Sequence, residues 1–200
     1  MAGICIWGDS ITWGATDHEK EGWANRLRHY FYNESNEDLS VYNVGICGDN
    51  SDDLMKRFEI ECIAREPDVI IFAIGTNDSQ YVESKDNPRV SLEKYYENLQ
   101  NLINIAKKHS SKIGFIGLTK VVENKVMPIP WSPTKYYDNK NVKLYDDKLK
   151  EVVTKNNLPY IYMFDLLENE ELEDGLHPNS NGHEKMFQRI KTFLIENNLK

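Results

Sequence analysis

Cysteine is scarce and unpaired in this chain: Cys5, Cys47 and Cys62 are the only three in 200 residues, and no two stand at C-x-x-C spacing. An odd count this small gives no disulfide framework, so the thiols are expected to stay reduced. Cys5 reads as a small core residue in a strand and Cys62 as one on a helix face, while Cys47, beside Gly48, is placed to line a site. Long apolar runs are missing too, none approaching the ~20 residues of a membrane span. Positive charge is outweighed and dispersed, with 24 Lys and Arg against 32 Asp and Glu for a net charge of −8. That balance argues against nucleic acid or an anionic membrane surface as the main partner. Neither a Gly-x-x-x-x-Gly-Lys loop nor a Gly-x-Gly-x-x-Gly fingerprint occurs, which removes the commonest nucleotide readings. No Gly-x-Ser-x-Gly elbow occurs either, which counts against the ordinary α/β-hydrolase fold. The first polar turn, at Gly8, leaves no room before it for a secretory leader, so the chain as given is expected to be cytoplasmic.

What the chain does contain is a regular alternation. Forty per cent of the residues are apolar, enough for one substantial core and a single domain over 1–200. Runs of strand character at 4–7, 40–44, 69–74, 113–118 and 160–164 alternate with helical patterns, and their near-continuous apolar content fits burial on both faces of a parallel sheet. The expected class is therefore α/β. Trp23, Leu27, Tyr30 and Phe31 recur at helical spacing, as do Leu92, Tyr95, Tyr96, Leu99, Leu102, Ile103 and Ala106, and both sets read as core. A helix should open at Ser51-Asp52-Asp53 and end at Glu66-Pro67, and another should open at Pro178-Asn179-Ser180. Two stretches lack any period: 119–141, rich in Pro and aromatics, and 78–91. They read as long loops that form opposite walls of a site.

The chemistry gathers just after the strands. Ile4-Cys5-Ile6-Trp7 runs straight into Gly8-Asp9-Ser10-Ile11-Thr12, and Asp174-Gly175-Leu176-His177-Pro178 lies far downstream. A hydroxyl becomes nucleophilic at neutral pH when an imidazole takes its proton and a carboxylate holds that imidazole in the right tautomer. Ser10, His177 and Asp174 can supply those three groups. Asn43-Val44-Gly45-Ile46-Cys47-Gly48 and Gly75-Thr76-Asn77-Asp78 follow the second and third strands, and in a parallel sheet all these strand ends meet on one edge. The backbone amides of Ser10 and Gly48 and the side-chain amide of Asn77 are then candidate donors to an oxyanion. Asp9 is expected to accept backbone amides of the Ser10 turn, and Asp78 to bond its own loop, a stronger reading than a metal site. Asp165 is the fallback for the acid, and the four other histidines read as structural.

In order and content the four segments resemble the signature blocks of the SGNH, or GDSL-type, esterase and lipase family: GDSIT for the nucleophile, NVGICG for the glycine, GTND for the asparagine and DGLHP for the acid and base. The resemblance spans Gly8 to Pro178. It implies a flavodoxin-like three-layer α/β/α sandwich with strand order 2-1-3-4-5. It also implies Ser10 as nucleophile, Gly48 and Asn77 as oxyanion donors, and Asp174 and His177 as acid and base, with no cofactor or metal. Family members act on lipid esters, thioesters, aryl esters and acetylated sugars. Here a small, short-chain acyl ester, such as an acetylated carbohydrate, is favoured, with Thr12, Trp13, Trp131 and Tyr137 as contacts. Two alternatives stand beside it: a lysophospholipase or thioesterase, and a non-catalytic binding module on the same frame.

Overall fold

A computed structural model describes residues 2–35 and 39–200. Its main sheet is parallel and five-stranded, built from β1 (Ala2–Gly8), β2 (Leu39–Gly45), β3 (Val69–Ala73), β5 (Lys112–Ile116) and β7 (Tyr160–Ile161) in the spatial order β2-β1-β3-β5-β7. Alternate side chains of β1 go to opposite faces, as the two-residue period of a strand requires. Cys5 and Trp7 pack with Phe58, Phe72, Leu99 and Leu149, under α3 (Ser51–Arg65), α4 (Leu92–Ala106) and α6 (Asn139–Lys155). Ile4 and Ile6 pack with Trp23, Leu27, Ile190 and Leu194, under α2 (Gly22–His29) and α7 (Ser180–Glu196). The result is the expected α/β/α sandwich, its central strand apolar on both faces.

All five expected strands form, with shifted ends. The last is the shortest: only Phe115↔Tyr160 and Ile116↔Ile161 pair, because β7 is an edge strand whose chain turns away at 163–166. Helix ends follow their caps. Asn50 caps α3 by accepting from Asp53 N at 3.0 Å, Glu66 closes it in the left-handed region before Pro67, and Asn179 caps α7. Tyr96 departs from its core reading; it sits on the outer face of α4 and is exposed, while Tyr95 and Leu99 are fully buried.

The two loops also differ from expectation. They contain a small antiparallel ribbon, β4 (Tyr81–Val82) with β6 (Lys135–Tyr136), so they pair with each other and do not stand as separate walls. Two single-turn helices, α1 (Ser10–Trp13) and α5 (Glu123–Val126), also form.

Candidate active site

Ser10 opens α1, directly after β1 ends. Asp9 is the cap of that turn, its Oδ1 accepting from Ile11 N at 2.9 Å, in agreement with the expected role. Gly8 must be glycine here: a Cβ on it would fall 2.1 Å from Thr12 Oγ1 and 2.6 Å from the Ala73 carbonyl. The close approach of α1 to the sheet is thus written into the residue before the cap.

Across the sheet's carboxyl edge, Ser10 Oγ lies 2.8 Å from His177 Nε2, and His177 Nδ1 lies 2.6 Å from Asp174 Oδ2. Because a carboxylate oxygen only accepts, the imidazole carries its proton on Nδ1, and Nε2 is left to accept from the serine hydroxyl. Asp174 Oδ1 in turn accepts from Leu176 N at 2.9 Å and His177 N at 2.8 Å, which locks the short turn. Burial pushes the Asp174 carboxyl up, but the bonds from His177 and from these amides outweigh it and hold the group below its ordinary range. Asp165, the fallback acid, is exposed and accepts from the Tyr162 hydroxyl.

The glycine segment is stitched to the serine turn, and the asparagine segment to the residue that follows the glycine segment. Ile46 N donates to Gly8 O at 3.0 Å, and Asn43 Nδ2 donates to Thr12 O at 2.9 Å. Gly48 takes a φ of +85°, and the space where its Cβ would stand is open. Asn77 is buried; its Nδ2 donates to the Asp49 carbonyl at 2.9 Å and its Oδ1 accepts from the Tyr137 hydroxyl at 2.7 Å. Arg57 anchors this corner through Asp49 Oδ2 and Glu61 Oε2, each at 2.7 Å, and through Val44 O at 3.0 Å. Sequence reasoning missed Asp49 and Arg57. Their only trace was an i,i+4 pair, Arg57 with Glu61, that reads as an ordinary helix surface.

Of the four expected contacts, two are corrected. Thr12 is fully buried beneath Gly8, and Tyr137 is buried against Asn77, so neither is free to meet a substrate. Trp131 does stand at the site: it is 55% exposed, with its ring 5.8 Å from that of His177 and tilted by 26°. Trp13, equally exposed, turns instead toward a cleft of about 680 Å³ along β2 with Tyr42, Arg28 and Arg65. That cleft holds none of the reactive groups above, and reactivity rather than volume marks the site. Asp78 reaches further than expected: besides its own backbone amide it accepts from Ser51 N at 3.0 Å and from the Ser51 hydroxyl of α3. Cys47 lies exposed in the turn between Ile46 and Asp49.

With this geometry in view, the model of the GDSL-like Lipase/Acylhydrolase family matches residues 6–185. The chain belongs to this family. A solved lipase/acylhydrolase from Enterococcus faecalis superposes with a TM-score of 0.80 over 97% of this chain and 95% of its own, at 24% identity. Axe2, an acetylxylan esterase from Geobacillus stearothermophilus, superposes with a TM-score of 0.74 over 96% and 94%, at 21% identity. At such identities the GDSL-like fold is what they share with this chain. YqeF of Bacillus subtilis (strain 168), described as an uncharacterized lipoprotein, is 30% identical over 114 residues, 54% of this chain. The match spans 45% of YqeF, so the chain covers less than half of that relative. Among the described residues no helix is long and apolar enough to cross a membrane.

Proposed function

We propose that this chain is a serine esterase whose nucleophile is Ser10, with residues 1–200 as one catalytic domain. The observation that carries the reading is the unbroken chain from Ser10 Oγ through His177 to Asp174, at 2.8 and 2.6 Å. Ser10 Oγ attacks the ester carbonyl while its proton passes to His177 Nε2, and Asp174 steadies the imidazolium through Nδ1–H. The tetrahedral oxyanion meets the Ser10 and Gly48 amides and the N–H of Asn77 that Asp49 does not use. Collapse expels the alcohol, which takes the proton from Nε2. Water then repeats the sequence and frees the acid. Hydrolysis of nitrophenyl acetate by wild type and Ser10→Ala side by side tests this. Activity lost only in the variant supports it, and retention of most activity in the variant sinks it. Asn77→Ala should slow turnover by roughly a hundredfold or more.

The acyl group is read as short, and acetylated carbohydrate as a natural case. The exposed face of Trp131 beside His177 supports this reading, because a sugar ring stacks on such an aromatic wall. Relative rates on nitrophenyl esters should fall steeply beyond butyrate. A preference for octanoate or longer would instead favour the lysophospholipase or thioesterase reading. Cytoplasmic residence belongs to the same proposal, supported by three free thiols, and fractionation of the producing cell checks it.

A further inference from the structure

Asn77 can serve an oxyanion only if its nitrogen, and not its oxygen, faces the substrate. We propose that Tyr137 is a positioning residue for this amide, its hydroxyl donating to Asn77 Oδ1 and, together with the Asp49 carbonyl that takes Nδ2, holding the orientation. The proposal rests on the reading of Asn77 as an oxyanion donor.

The two ends of a carboxamide are nearly equal in size, so packing alone does not choose between them. Here the two neighbours do. Nδ2 donates to the Asp49 carbonyl at 2.9 Å, which uses one of its two protons and leaves the other for a ligand. Oδ1 takes the Tyr137 hydroxyl at 2.7 Å. Turning the amide over would set Oδ1 against the Asp49 carbonyl, acceptor against acceptor, and present an oxygen to the developing anion. Tyr137 is 1% exposed, so water cannot replace its hydroxyl. Burial pushes the phenol far up, which keeps it a neutral donor across the working pH range. A hydrogen bond accepted at Oδ1 draws density from the amide and makes its remaining N–H a better donor.

The fold delivers Tyr137 rigidly to this place. Tyr136, its predecessor, pairs with Tyr81 in the ribbon, Tyr137 N donates to Val126 O at 3.1 Å, and Asp138 caps α6 immediately after. The 78–91 and 119–141 segments therefore meet so that one brings the amide's neighbour loop and the other the hydroxyl that orients it.

The test is a cycle of wild type, Tyr137→Phe, Asn77→Ala and the double variant on nitrophenyl acetate, with Ser10→Ala as blank and melting curves to set the assay temperature below each transition. Tyr137→Phe is expected to lower kcat by about tenfold with KM within about twofold, since the lost bond acts on a transition-state donor. The double variant should be no slower than Asn77→Ala alone, because a residue that acts only through Asn77 has nothing left to orient. An unchanged kcat in Tyr137→Phe overturns the proposal, as do losses that multiply in the double variant, the mark of a merely structural role. A wild type no faster than Ser10→Ala overturns the esterase reading itself, and the proposal with it.

Discussion

At the scale of single residues, the Asp174 contact makes the sharpest demand. In Asp174→Asn the amide can keep its oxygen on the Leu176 and His177 backbone protons only by turning its NH₂ toward Nδ1. That forces Nδ1 to accept and moves the ring proton to Nε2, which then donates to Ser10 Oγ and can no longer take its proton. Turnover should fall by about three to four orders of magnitude without unfolding, while Asp165→Asn, on an exposed side chain, changes it little. Trp131, stacked against the His177 ring, is placed to favour the imidazolium through its own ring, so Trp131→Ala should reduce kcat/KM about two- to fivefold. No change would leave Trp131 a bystander. The reactive groups were legible because each lies in a short motif whose chemistry is local. Thr12 and Tyr137 were misjudged because composition says that a polar or aromatic residue is near a strand end, not which way it faces.

Elements add a constraint that no motif displays. Asp78, at the end of the asparagine block, accepts from the first amide of α3, and Asn98 of α4 completes the cluster through the Ser51 hydroxyl at 2.8 Å. Three elements thus meet on one buried carboxylate. Burial raises Asp78 from 3.8 to about 7, against the pull of its Ser51 bonds, and raises Asp9 to about 6. Between the unfolded and folded values the folded state holds the extra proton. The contribution of these groups to stability is therefore full below about pH 4 and declines as pH rises through 7, by a few kcal/mol together. Asp78→Asn should flatten that decline, measured as the difference between wild-type and variant denaturation midpoints at acid and neutral pH. Parallel profiles would remove Asp78 from the account. Helix and strand positions were readable from period and caps, but this convergence was not, because a residue's partner 27 positions away leaves no mark in its own neighbourhood. The ribbon escaped for the same reason, two strands of two residues being too short to show a period.

For the whole molecule, the parallel order β2-β1-β3-β5-β7 sets strand ends from distant parts of the chain on one edge, yet a sheet edge alone does not hold Ser10 and His177 at bonding distance. A buried clasp joins the two ends. Asp17, in the segment after α1, pairs with Arg26 of α2, which also reaches Glu184 at 3.0 Å and the Ser180 carbonyl at 3.1 Å at the start of α7, the helix that follows His177. His183 reinforces it from within, accepting from Trp23 N at 3.3 Å and meeting the Ala15 carbonyl at 3.2 Å. Burial lowers its pKa to about 4, so it stays neutral, a structural histidine as the sequence reading held. Removing Arg26 alone strands the Asp17 carboxylate in the interior. Arg26→Met should therefore destabilise by about 3–5 kcal/mol, whereas Asp17→Asn added to it should restore part of the loss. Denaturant melts of the two variants decide the matter: a single-variant cost below about 1 kcal/mol would show the pair to be as weak as an exposed one. If the clasp also sets the distance between the two ends, the single variant measured below its melting point should lose kcat, and the double variant should regain it in step with stability.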